Sequence, residues 1–168
     1  QAKEQAKEAQ KRKDSVRNLS SVLTEQPADP VLGADAATAD ITVVEFFDYR
    51  CGYCKRVFPT IQALLEEDGN IRYVLKELPI LGPDSLFASQ AALAVWNTTP
   101  EQYLPFHAAL MASRGSLNAE KIFTIAEDLG LDKIAITKNM KNESVNNELN
   151  KNAELSERLD ITGTPAFI

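Results

Sequence analysis

Cysteine and histidine are almost absent from this chain: among 168 residues there are two cysteines, Cys51 and Cys54, and one histidine, His107. A closed zinc site takes about four such ligands, so this set argues against one built within a single chain. Basic residues are outnumbered by acidic ones, 18 to 24, and the net charge of −6 leaves no basic footprint for nucleic acid. No apolar run approaches the length needed to span a membrane. No leader with a charged start, an apolar middle and a small-residue end opens the sequence, so an exported protein is expected to be seen here in its mature form, without signal peptide. What is present suffices for one good core plus an appendage: 44% of residues are apolar and 25% charged, which excludes a disordered chain.

The two cysteines stand together as Cys51-Gly52-Tyr53-Cys54, after the apolar run Ile41-Thr42-Val43-Val44-Glu45-Phe46-Phe47, which reads as a buried strand. After them, Val57, Phe58, Ile61, Leu64 and Leu65 recur at helical spacing until Gly69. The pair therefore falls in the first turn of a helix. Unpaired backbone N–H groups and the positive end of the helix dipole stabilise a thiolate there, and Lys55 and Arg56 are expected to add positive charge. Cys51, the outer thiol, is the expected nucleophile. Cys54, one turn deeper, would attack the mixed disulfide and close the ring, so the pair forms a reversible two-electron switch that needs no cofactor. A purely structural disulfide over so short a loop would remove little entropy from the unfolded chain. A Cu(I) ion, soft and content with few thiolates, is a second reading of the same pair.

Residues 1–26 differ from the rest. Gln1 to Asp14 are nearly all strong helix formers, and Val16, Leu19 and Leu23 add a short apolar stripe with a weak heptad seam through Ala2, Ala6 and Ala9. Such a segment is either a solvated terminal helix or an oligomerisation arm. The patch of Val16, Leu19, Val22 and Leu23 favours the arm, because a second chain would cover it. Pro27 and Pro30 end this segment, and 33–40 reads as a linker or an irregular entry to the first central strand. A domain then follows over 27–168. Within it, 70–77 reads as a second strand, and helical signals dominate from about 84 to 159: a cap at Asp84 or Ser85, a capping box at Thr99-Pro100-Glu101-Gln102, helix starts at Asn118 and Asp132, and a longer polar helix carrying Val145, Leu149 and Ala153. A Gly163-Thr164-Pro165 turn then enters a short apolar strand.

Phe46-Phe47-Asp48-Tyr49-Arg50-Cys51-Gly52-Tyr53-Cys54-Lys55, a helical insertion, and then Gly163-Thr164-Pro165 together resemble the DsbA-like branch of the thioredoxin superfamily, in particular its oligomeric members with an N-terminal helical arm, of the suppressor of copper sensitivity protein C type. The resemblance covers about residues 30–168. It implies an α/β thioredoxin fold with an inserted helical domain, a cis Pro165 beside Cys51, and substrate peptides bound along Thr164, Pro165, Gly52 and Tyr53. It further implies the periplasm, unfolded or mis-oxidised protein substrates, a membrane redox partner of the DsbB-like or DsbD-like kind, and a homo-oligomer, trimer or dimer, held by the arm. Such a domain continues past its cis proline, so C-terminal strands and a helix are expected to be missing from this chain. Gly52-Tyr53 carries no imidazole to stabilise the Cys51 thiolate, which points to a less oxidising disulfide than the prototype oxidase. Disulfide isomerase or reductase is the first functional expectation, dithiol oxidase the second, and a copper-binding envelope protein the third.

Glu45 is the one charge within its apolar strand, and the family places a buried carboxylate there. Its expected role is to take up the Cys54 proton during resolution, against the alternative of a strand-end carboxylate reaching water. Glu77 is a weaker candidate, and Lys76 and Arg72 are expected to face solvent. His107 reads as a satisfied structural histidine. Phe87, Trp96, Phe106 and Phe123 read as helical core, or as a rim for unfolded substrate.

Overall fold

Alternation along two seven-residue strands decides which side chains meet the cysteine pair. The computed structural model describes residues 1–168. It places strand β1 at Val31–Gly33, β2 at Ile41–Phe47, β3 at Ile71–Glu77 and β4 at Ala166–Phe167, in the order β1-β3-β2-β4. β2 and β3 are parallel, with Glu45 opposite Leu75, and the two short strands flank them antiparallel. The crossover between the parallel strands is helix α3, Gly52–Glu67, which carries the cysteines. Phe47, Tyr73 and Leu75 point into the larger core with α3, whereas Val44, Phe46 and Val74 point into a second core on the other face.

That second core corrects the expectation for the N-terminal segment. Helix α1, Ala2–Asn18, buries no residue, but α2, Ser20–Thr24, returns to the sheet. Leu19 and Leu23 lie buried against Val44, Phe46, Val74, Leu78, Leu155 and Leu159. The patch that was expected to need a second chain is thus largely covered by this one, at about 1.5–3 kcal/mol for each large aliphatic side chain fully buried. Lys76 is likewise not a solvent-facing residue. Its ammonium is buried, 2.6 Å from Asp29 Oδ2, and donates to the Val22 carbonyl, while the Arg72 guanidinium donates to the Thr24 carbonyl. The segment read as a linker opens with β1. Gly33 is required there, because its φ is +75° and a Cβ would stand 2.2 Å from the Ile71 carbonyl oxygen.

The helical insertion follows β3: α4 (Pro83–Thr98), a 3-10 turn (Pro100–Gln102), α5 (Tyr103–Ala112), α6 (Ala119–Asp128), α7 (Lys133–Met140) and α8 (Glu143–Arg158). Asn118 and Asp132 cap α6 and α7 through their side chains, as expected. The other two starts differ. Gly82 is the N-cap of α4 and Ser85 turns inward to Asp48, while Thr99 makes no capping bond because Pro100 opens a 3-10 turn before α5 begins. α4 to α7 cover the face that holds the cysteines; α8 crosses to the opposite face, where Leu155 and Leu159 meet α2. No helix is long and apolar enough to cross a membrane.

Candidate functional site

Cys51 is the N-cap of α3, with extended backbone (φ −72°, ψ 116°), so its sulfur hangs over the unpaired N–H groups of the first turn. The Cys54 N–H donates to Cys51 Sγ at 3.3 Å, and that sulfur lies 3.3 Å from the Thr164 carbonyl, 113 residues along the chain. The Thr164–Pro165 peptide bond is cis. Pairing of β4 with β2, Phe167 opposite Glu45, brings this turn over the cysteines. Both cysteines are free thiols. No three His, Cys, Asp or Glu side chains are grouped as a metal set.

The turn before Cys51 is held by a residue that sequence reasoning passed over. Asp48 is fully buried. Its Oδ1 accepts from the Arg50 N–H and the Ser85 hydroxyl, its Oδ2 from the Ile80 and Leu81 N–H groups, and its carbonyl from the Cys51 N–H. One carboxylate thus fixes the active-site turn to the 80–82 segment and to α4. The available signal was a charged residue directly between an apolar strand and the cysteine motif.

The two thiols are electrostatically unlike. Cys51 is more enclosed than expected, at 6% exposure. Burial pushes its thiol up, but hydrogen bonding to Thr164, to Cys54 and to the Tyr53 backbone outweighs this and holds it below the ordinary thiol value. No side-chain cation contributes. Lys55 instead donates to the Leu110 and Ser113 carbonyls at the end of α5, and Arg56 lies 4.3 Å over the ring of Tyr53, which is itself exposed. The positive charge expected of these two residues is therefore engaged elsewhere. Cys54 has no exposure, and burial pushes its thiol up to about 12. One thiol is ready to ionise; the other must give its proton to something.

An acid is buried in the strand that leads to them. Glu45 is buried, on the same face of the sheet as Tyr73, which shares the core cluster of Cys51 and Cys54. Burial raises the Glu45 carboxyl to about 7, opposed by one hydrogen bond, from the Tyr73 hydroxyl to Oε2 at 2.8 Å. The alternative in which Glu45 reaches water does not hold. Residues 42–168 match the model of the DSBA-like thioredoxin domain. The chain belongs to this family. It is 29% identical over 148 residues to disulfide bond formation protein D of Bacillus subtilis, covering 82% of this chain. Among solved structures, it is similar to a thioredoxin-like oxidoreductase from Silicibacter pomeroyi (39% identity, TM-score 0.82, 88% of this chain and 83% of the other) and to the catalytic domain of Proteus mirabilis ScsC (31%, 0.84, 92% and 84%). The chain spans 66% of the length of the Bacillus subtilis relative, and 20% of that of a matching Na(+)/H(+) antiporter from Salinispora arenicola.

This DSBA-like domain holds a second buried polar group beside the first. Glu77 accepts from the Tyr49, Tyr103 and Ser89 hydroxyls, and burial still raises it to about 8. Tyr49, two residues before Cys51, also meets His107 Nδ1 at 2.8 Å. His107 is buried among Phe47, Phe58 and Tyr103, its Nε2 has no partner, and burial lowers it to about 3, so the ring is neutral. When Glu77 is ionised and accepts the hydrogen bond of the Tyr49 hydroxyl, His107 must donate from Nδ1, which leaves only an acceptor lone pair at Nε2 rather than a stranded donor. His107 is thus structural, as expected, but only half satisfied. Phe106 is buried core, and Phe87, Trp96 and Phe123 pack half-buried against the same cluster.

Proposed function

We propose that the protein is a thiol–disulfide oxidoreductase of the cell envelope that works chiefly as a disulfide isomerase or reductase on unfolded or mis-oxidised proteins in the periplasm. The observation that carries this reading is the asymmetry of the pair, an acidified Cys51 at a helix N-cap over a deeply buried Cys54. Cys51 as thiolate attacks a substrate disulfide; one substrate sulfur leaves as thiolate and the other stays bound to Cys51. Cys54 then gives up its proton, attacks Cys51 Sγ and releases the second substrate thiolate, so the pair is oxidised by two electrons and the substrate reduced by two. Glu45 is the proposed acceptor of the Cys54 proton. Thr164, beside cis Pro165, offers backbone to an extended substrate next to Cys51 Sγ, with Gly52 and Tyr53 on the exposed side.

The direction of exchange follows from what lowers the Cys51 thiol. The side chains of Thr164 and Cys54 and the Cys54 and Tyr53 backbone do so, with no imidazole or ammonium among them. A thiolate stabilised this modestly makes a weakly oxidising disulfide, because strong oxidants owe their potential to a stabilised reduced form. Equilibration of the pair with glutathione tests this reading: a potential more reducing than about −180 mV is expected, whereas one near −120 mV would make the protein a dithiol oxidase. An isomerase must be kept reduced, which implies a DsbD-like rather than a DsbB-like membrane partner. The bare helix α1 supports a homo-oligomer. Because Leu19 and Leu23 belong to the core, the informative deletion removes residues 1–18. Light scattering should then show a monomer that exchanges thiols but no longer reshuffles a scrambled substrate.

A further inference from the structure

We propose that Tyr73 is a positioning residue of the resolving step, holding the Glu45 carboxylate as the proton acceptor for Cys54. This rests on the thiol–disulfide reading above. Tyr73 stands on β3 in the same buried cluster as Cys51 and Cys54, and its hydroxyl donates to Glu45 Oε2 at 2.8 Å. Glu45 has no other hydrogen-bond donor, so this bond alone fixes its orientation and leaves Oε1 free. Tyr73 on β3 feels both Glu45 and Cys54 of α3, so it stands between the acid and the thiol, and Glu45 also acts on Tyr103 from α5; none of these groups is a cation.

The chemistry follows from that company. A carboxyl buried without a positive partner tends to stay protonated, and a protonated Glu45 cannot receive a proton. The Tyr73 bond favours the charged form and is the sole influence that opposes burial at this acid. The phenol itself stays protonated, since burial and the neighbouring carboxylate push it well above the ordinary tyrosine range. Tyr73 is therefore a fixed donor and never a base. During resolution the Cys54 S–H proton passes to Glu45, the Cys54 sulfur bonds to Cys51 Sγ, the Cys51–substrate disulfide breaks, and the departing substrate thiolate keeps the bonding pair. Protonated Glu45 later returns its proton to Cys54 when the pair is reduced again.

The test is the pH profile of mixed-disulfide resolution in the full chain, with Tyr73→Phe beside the parent, Glu45→Gln and the double variant. Phe keeps the ring in the core and removes only the hydroxyl, and unchanged thermal unfolding establishes that the fold survives. Loss of one bond to a charged group should move the midpoint of the profile up by about one unit, slowing resolution about fivefold at pH 7 and hardly at all at pH 9. In the Glu45→Gln background the same substitution should change nothing further. A midpoint that does not move in Tyr73→Phe, or an equal loss at every pH, overturns the proposal. If the variant proves less stable, the carboxyl resonance of labelled Glu45 is titrated by NMR instead, and an unshifted titration overturns it equally. A parent chain that fails to exchange disulfides at all would reject the functional reading itself.

Discussion

Strands β2 and β3 send alternate residues to opposite sides of the sheet, and the acids buried on the two sides keep different company. On the side of the cysteines, Glu45 and Glu77 meet only hydroxyls, and both are pushed up by burial, to about 7 and about 8. On the other side, Asp29 meets the ammonium of Lys76 at 2.6 Å, with Glu148 beside it; burial and Glu148 raise Asp29 to about 8 even against the opposing pull of Lys76. The first arrangement surrounds its acids with hydroxyl donors and no cation. The second anchors the chain, because the same ammonium also holds the Val22 carbonyl and so ties α2 to the sheet. Glu45, which has no cation beside it, is the proposed proton acceptor; Asp29, which has one, ties α2 to the sheet.

Removing the cation should break the comparison most severely. Lys76→Met leaves Asp29 and Glu148 buried without a counter-charge and is expected to cost about 3 kcal/mol in urea unfolding, with early exposure of residues 19–24 to proteolysis. Cys51 acidity should be unaffected. Glu45→Gln is expected to do the reverse: resolution of mixed disulfides slows by about a hundredfold while stability at neutral pH is kept or gained. The same variant sharpens the contrast through pH. Glu45 has an ordinary value of 4.5 and a folded value of about 7, so the folded chain keeps a proton that the unfolded chain loses. Its stabilisation is complete below pH 4.5 and disappears as the pH rises through 7. Stability should therefore fall between pH 4.5 and 7 in the parent, and less steeply in Glu45→Gln. The smallest effect is expected at Lys55. Lys55→Met removes the donor that closes the end of α5, at about 0.5–1 kcal/mol, and leaves the Cys51 thiol where it was.

The strand before the cysteines, the helix after them, the second strand and the side-chain caps at Asn118 and Asp132 were all legible, because each is a local pattern of apolar spacing or capping chemistry. That Cys54 lies deeper than Cys51 was legible for the same reason, since depth in the first helical turn follows from sequence position, although Cys51 is itself more enclosed than expected. What escaped the sequence was company. Lys76 reads as a surface residue until Asp29, 47 residues earlier, is seen against it. Leu19 and Leu23 read as patches in need of a second chain because nothing local shows that Val44 and Leu155 cover them. Lys55 reads as a thiolate's neighbour although its side chain reaches the end of another helix. Tyr73 carries no motif at all, and Asp48 offers only its place before the cysteines; their roles exist in the contacts they make.

The central claim is that one buried pair contains two unlike thiols, Cys51 acidified and Cys54 suppressed. Thiolate absorbance followed against pH in the reduced protein, and in the Cys51→Ser and Cys54→Ser variants, tests it directly. The account predicts one thiolate below the ordinary thiol value, retained in Cys54→Ser and lost in Cys51→Ser, and no second ionisation until near pH 12. Two thiols ionising together, or Cys54 ionising first, would contradict it.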